Sequence, residues 1–130
     1  MNRRRLARSA FALAALPALA LTTAPAFAAW PDKPVRIVVT FAAGGASDIV
    51  ARAISDPLAK ALGQPVIVDN KPGAGGNLGV DAVAKSPADG YTIVIGQTSN
   101  LAINPTLYSK MPYDSQRDLA PIVLLANARW

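Results

Sequence analysis

The sequence predicts an α/β fold, a parallel sheet with helices on both faces, and three observations carry that prediction. Short runs of β-branched residues recur along the chain, each run leads into a glycine-containing or polar loop, and the segments between them repeat apolar residues at spacings of three and four. Strands that alternate with helices build parallel sheets, because a right-handed crossover returns the chain in the same direction.

The first residues stand apart from that pattern. Arg3, Arg4, Arg5 and Arg8 form a basic head, Ala10 to Leu21 an apolar stretch, and Ala26-Phe27-Ala28 an A-x-A-like cleavage site, so residues 1–28 read as a secretory signal. The stretch is shorter than the ~20 residues that span a bilayer and contains Pro17, which argues against a permanent anchor. Arg3-Arg4-Arg5-Leu6-Ala7-Arg8 also resembles a twin-arginine motif, so either export route fits. Four of the 13 Lys and Arg lie in this leader, leaving 13 − 4 = 9 cations against 8 acids, about +1. That balance gives no basic face for nucleic acid. All eight acids are Asp, and an exported chain without cysteine fits a bacterial periplasm.

The remaining residues suffice for one small domain. Trp30-Pro31-Asp32-Lys33-Pro34 is an extended lead-in, kept from helix by its two prolines. Val35 to Phe41 is nearly unbroken in apolar character, as expected for a strand covered on both faces. From Asp48 the residues Ile49, Val50, Ala53, Ile54, Leu58 and Leu62 recur at helical spacing, with Ser47 or Asp48 placed to cap the first turn. Asp56-Pro57 predicts a kink or two shorter helices, and Gly63 a helix end. A second strand follows at Pro65 to Asn70, then the loop Lys71 to Asn77, then a short helix from Leu78 to Ala84 stopped at Ser86-Pro87. Ala88-Asp89-Gly90 turns the chain into a third strand, Tyr91 to Ile95, which ends in the polar loop Gly96 to Asn100. Beyond it Leu101 to Tyr108 reads as a short helix broken at Pro105, Met111 to Asp114 as a turn, and Asp118 to Leu125 as a segment ending in a further apolar strand.

Parallel strands end on one edge of their sheet, so loops 42–48, 71–77 and 96–100 open into one crevice, where open α/β sheets bind ligands. The first of these loops enters a helix N-terminus, whose leading amides lack internal partners and favour an anion. Residue types narrow the chemistry. Without His or Cys there is no Ser-His or Cys-His nucleophile and no usual zinc site, and no cofactor is indicated. Gly73-Ala74-Gly75-Gly76-Asn77-Leu78-Gly79 departs from a dinucleotide fingerprint at Leu78, where the third glycine belongs. The first and third loops contain no Lys or Arg and the second only Lys71, so an anion would be held by amides, hydroxyls and helix ends, which suits a small carboxylate. Charge-assisted bonds contribute about 1.5 to 3 kcal/mol each against an association cost of at least ~4 kcal/mol. Two or three from one lobe leave affinity near the millimolar range, and micromolar binding, about −8 kcal/mol, needs a second lobe.

At these residues the chain closely resembles the substrate-binding proteins of tripartite tricarboxylate transporters, the Bug-type periplasmic receptors. The matching features are a Trp-Pro-x-Lys-Pro start, Gly44-Gly45-x-Ser47-Asp48, Leu62-Gly63-Gln64-Pro65 and Asn70-Lys71-Pro72-Gly73-Ala74-Gly75-Gly76-Asn77. They continue with Pro87-x-Asp89-Gly90-Tyr91-Thr92, Asn104-Pro105-x-Leu107-Tyr108 and Pro112-Tyr113-Asp114 before Asp118. The resemblance implies a monomeric two-lobed receptor, not an enzyme, that encloses a small carboxylate for membrane transporter subunits. Residues 29–100 would be its first lobe and 101–130 the crossing and start of the second. Carried over, Ala43, Gly44, Gly45 and Ser47 would face the carboxylate, with Asp48 fixing the helix start. Gly75, Gly76 and Asn77 would border the cleft, and Gln97, Thr98 and Ser99 would line it. The family's first loop commonly holds prolines where this chain has Thr40, Ala42 or Ala43, which leaves a less rigid jaw. Such receptors are considerably longer, so the expectation is a truncated member with most of the second lobe missing and binding weak or lost. A periplasmic enzyme using the same crevice, and a fragment without function, are the alternatives.

Overall fold

The structure, a computed structural model, describes residues 30–127; the leader read over residues 1–28 lies outside them. Three strands, β1 (Val35–Val39), β2 (Val66–Asn70) and β3 (Thr92–Ile95), form one parallel sheet in the order β2-β1-β3. Val35 pairs with Val66 and Arg36 with Thr92, so the three strand tips, Val39, Asn70 and Ile95, lie level. β1 is central, and Ile37, Val38 and Val39 are wholly buried, which explains its unbroken apolar run.

Helix α1 (Ala46–Leu62) joins β1 to β2 and packs on them, whereas α2 (Asn77–Ala84) joins β2 to β3 and packs on β3 and β1. The two crossovers run in opposite directions across β1, so right-handed connections put the helices on opposite faces. On the α1 face Ile37, Val39 and Ala51 form a core, flanked by Ile54, Leu58, Val66, Val68, Ile93 and Ile95. On the other face α2 comes close to the end of β1 at Gly79, where a Cβ would sit 2.8 Å from the Lys71 carbonyl and 3.0 Å from Thr40.

Several expectations need correction. β1 ends at Val39, two residues early, and α1 begins at Ala46 with Gly45 as its N-cap, so Ser47 and Asp48 sit inside the first turn and neither is the cap residue. Pro57 neither ends nor divides α1. Pro57 and Ala53, the residue four before it whose carbonyl loses its helical partner, both lie on the exposed side, while Ile54 and Leu58 hold the helix to the sheet. Ile49, at 62% exposure, lies off the packed face. Gly63 ends the helix as expected, at φ 68° with its amide bonded to Ala59.

The third loop is not a loop beyond Gln97. Thr98 has helical dihedrals, a π-helical turn spans Ser99–Ile103, and α3 (Asn104–Leu107) follows without a break, because Pro105 falls in its first turn, where proline is tolerated. The strand expected before Leu125 is not formed. Ile122, Val123, Leu124 and Leu125 pair with no described strand and are 44% to 78% exposed. At the opposite edge of the sheet Tyr91 anchors the lead-in: its hydroxyl accepts the Asp32 amide at 2.9 Å and donates to the Asp32 carboxylate, and its ring lies 5.8 Å from Trp30.

Candidate functional site

The strand order reverses at β1, and the chain leaves β1 for one face and reaches β3 from the other, so the loops that follow these two strands part at a topological switch point, where open α/β sheets hold their ligands. One wall is the segment Thr40 to Ser47, and the other is Gly96 to Ser99. One hydrogen bond joins them, in which the Gln97 side-chain nitrogen donates to the Ser47 hydroxyl at 2.7 Å across fifty residues of sequence. Ala43, Gly44, Gly45, Gln97 and Thr98 are exposed around it, and Ser47 is buried at its base.

The amides of the first wall divide into two sets. Gly44 N–H donates to the Asp48 carboxylate at 2.8 Å, and Gly45 N–H to the Ala42 carbonyl at 3.3 Å. The first intrahelical bond comes from Ile49 to the Gly45 carbonyl. Between them, the amides of Ala46, Ser47 and Asp48 donate to no other described residue. Three unpartnered donors at the end of a seventeen-residue helix make a positive focus without any cationic side chain.

Asp48 holds this turn in place. Its Oδ2 accepts from Gly44 N–H and, at 2.9 Å, from Arg52 Nε, while Oδ1 accepts from Asn70 Nδ2 at 3.0 Å. Asn70 Nδ2 also donates to the Phe41 carbonyl at 3.1 Å, so the clamp ties the loop to the last residue of β2. The carboxyl titrates at about 2, below its ordinary 3.8, chiefly through the Arg52 hydrogen bond and then those from Gly44 and Asn70. Asp48 is 3% exposed and its charge is met by Arg52, so the carboxylate turns away from the crevice and supports the loop.

The second loop is placed differently. Gly75 is exposed, but Gly76 and Asn77 are buried beneath the π turn and α3. Asn77 Oδ1 accepts from Asn104 Nδ2 at 2.7 Å and lies 3.0 Å from the Tyr113 hydroxyl, and its Nδ2 points to the Met111 sulfur at 3.8 Å. Asn104 reaches the Gly75 carbonyl at 3.4 Å, and the Tyr113 hydroxyl donates to the Asn100 carbonyl. Burial holds the Tyr113 phenol above its ordinary pKa, with the Asp81 charge adding to it. Asn100, wholly buried, donates to Thr40 Oγ1 at 2.9 Å and accepts Gln97 N–H at 2.9 Å. Ser99 Oγ is buried and has no partner among the described residues.

Sequence reasoning missed Arg52, Asn70, Asn100 and Thr40 as supports of the crevice. Arg52 was readable, four residues after Asp48 on one helix. Asn100 and Thr40 are joined only by the fold.

The family model described as the tripartite tricarboxylate transporter family receptor matches residues 50–130. The chain belongs to that family. Relatives that resemble it include the UPF0065 protein from the tcbD-tcbE intergenic region of a Pseudomonas species, 46% identical over 114 residues, covering 85% of this chain and 34% of that protein. BugT of Bordetella pertussis is 41% identical over 99 residues, covering 75% of this chain and 30% of BugT. Among solved structures, the chain is similar to MatC of Rhodopseudomonas palustris with bound malate, at TM-score 0.71 and 40% identity over 74% of this chain and 33% of MatC. It is also similar to the periplasmic binding protein BugD, at TM-score 0.65 and 39% identity over 68% of this chain and 29% of BugD. A second R. palustris protein, solved with adipate, gives TM-score 0.64 and 42% identity over 67% of this chain and 29% of its own. The chain spans about a third of the length of the curated relatives it matches.

Proposed function

We propose that this receptor-family chain binds one end of a small dicarboxylate at the N-terminus of α1, as the first lobe of a periplasmic solute-binding protein serving membrane transporter subunits. The observation that carries the reading is the set of unpartnered amides at Ala46, Ser47 and Asp48, opening beside the Ser47 hydroxyl between the loops of β1 and β3. These are donors that no described acceptor occupies, which is what an incoming carboxylate needs. Ala43 and Gly45 form the near rim, Thr98 and Ser99 the far rim, and Gly75, Gly76 and Asn77 the flank behind them. The malate and adipate found with two similar structures support a dicarboxylate as the ligand. A sequence without His, Cys or Glu supports capture over catalysis. Residues 29–100 act as the lobe and 101–130 as the crossing, the leader directs export to the periplasm, and the chain works as a monomer.

Binding through two or three charge-assisted bonds from these residues is weak, near the millimolar range. Titration of malate and adipate into the isotopically labelled protein, followed by amide chemical shifts, tests the proposal. Saturable shifts at Ala46, Ser47 and Asp48 are expected, and shifts confined elsewhere, or none, would overturn it.

A further inference from the structure

Resting on that reading of the crevice, we infer that Gln97 is a positioning residue: it acts on the ligand through Ser47, by aiming the one hydroxyl donor of the first helical turn at the bound anion. A serine hydroxyl has one proton to donate and two lone pairs to offer, whereas an amide nitrogen can only donate. Gln97 Nε2, 2.7 Å from Ser47 Oγ, therefore fills a lone pair and leaves the hydroxyl proton to find an acceptor elsewhere. Among the described residues Ser47 Oγ donates to none. Ser47 is only 8% exposed, so that proton lies at the base of the crevice beside the unpartnered amides.

Gln97 is held where it can do this. Its N–H donates to Asn100 Oδ1 at 2.9 Å, its carbonyl accepts Leu101 N–H at 3.0 Å, and Asn100 is pinned in turn by Thr40 Oγ1 at 2.9 Å. The donors then run one way, from the Gln97 side chain to the Ser47 oxygen and from the Ser47 proton into the crevice, and a donor whose oxygen already accepts a bond is the stronger for it. Such a site selects acceptors. It favours an ionised carboxylate, whose two oxygens both accept and carry the charge, over the protonated acid or a primary amide, which keep one neutral carbonyl acceptor each.

A double-mutant cycle with malate tests the chain of action, because Gln97 is exposed and Gln97→Met keeps its length without its donor. Gln97→Met and Ser47→Ala are each expected to weaken binding about ten-fold, with the unfolding midpoint of Gln97→Met unchanged. The double variant should bind no more weakly than Ser47→Ala alone. Additive losses would overturn the inference, since Gln97 would then reach the ligand by itself, while the functional reading would stand. A wild-type protein that shifts nowhere with malate would sink the functional reading instead. In the ligand-free protein, nuclear Overhauser contacts between the Gln97 side-chain amide and the Ser47 methylene are expected, and their absence would overturn the inference on its own.

Discussion

The loop after β1 and the loop after β2 carry the same pair of glycines, Gly44-Gly45 in one and Gly75-Gly76 in the other, at the same edge of one sheet, yet they face different company. Around the first pair nothing comes within 4 Å of a Cβ built on Gly44, and the amides that follow have no described partner. Around the second, a Cβ on Gly76 would stand 2.4 Å from Asn100 Nδ2 and 3.3 Å from Thr40. Residues 73–76 all have positive φ, including Ala74 at 47°, which packs this turn under Asn100 and Asn104. Equal composition thus serves opposite ends. The first loop leaves three backbone amides without a described partner, and the second closes backbone against side chains, which fixes the elements that carry Gln97.

That contrast is tested most severely by filling the closed loop. Gly76→Ala must put a Cβ into the Asn100 amide at φ 89°, combining left-handed strain with overpacking, and should cost about 3 kcal/mol in denaturant unfolding. Asn77→Ala comes next. It removes the acceptor of Asn104 Nδ2, and about 2 kcal/mol is expected to be lost, because one proton of that buried amide is left without its partner. An unfolding midpoint unmoved by either change would mean that the second loop is as open as the first.

The contrast also explains what could be read from sequence. Strand and helix periodicity placed β1, β2, β3, α1 and α2 to within two residues, since each is a local run whose apolar face meets the sheet. That all three loops leave one edge of the sheet was legible because parallel strands leave their ends together; that the second would pack closed beneath the residues after β3 was not. What local pattern could not supply was the environment of each polar side chain. Ser99 and Asn100 look like loop residues, yet they begin a helical segment whose partners, Thr40 and Tyr113, lie sixty and thirteen residues from Asn100. Asp48 looks like a cap and instead braces the turn from its third position, with Asn70 twenty-two residues away. The apolar run Ile122 to Leu125 has strand composition, but composition cannot provide the neighbour a strand needs.

The smaller effects belong to the open loop. With its carboxyl held at about 2, Asp48 contributes stability that is fully present above its unfolded pKa, near 3.9, and is lost as pH falls through the folded value. The stability difference between the wild type and Asp48→Asn should therefore hold level above about pH 4 and shrink below it; a difference independent of pH would mean that Asp48 is not charged in the clamp. Smallest of all is Gly44→Ala. The residue sits at φ 84° with open space around it, so only left-handed strain, about 1 kcal/mol, opposes the substitution. Its amide is already bonded to Asp48, so malate affinity should not change. A loss of affinity in Gly44→Ala would place this amide among the ligand's donors, in competition with Asp48, and would require the clamp to open when the anion binds.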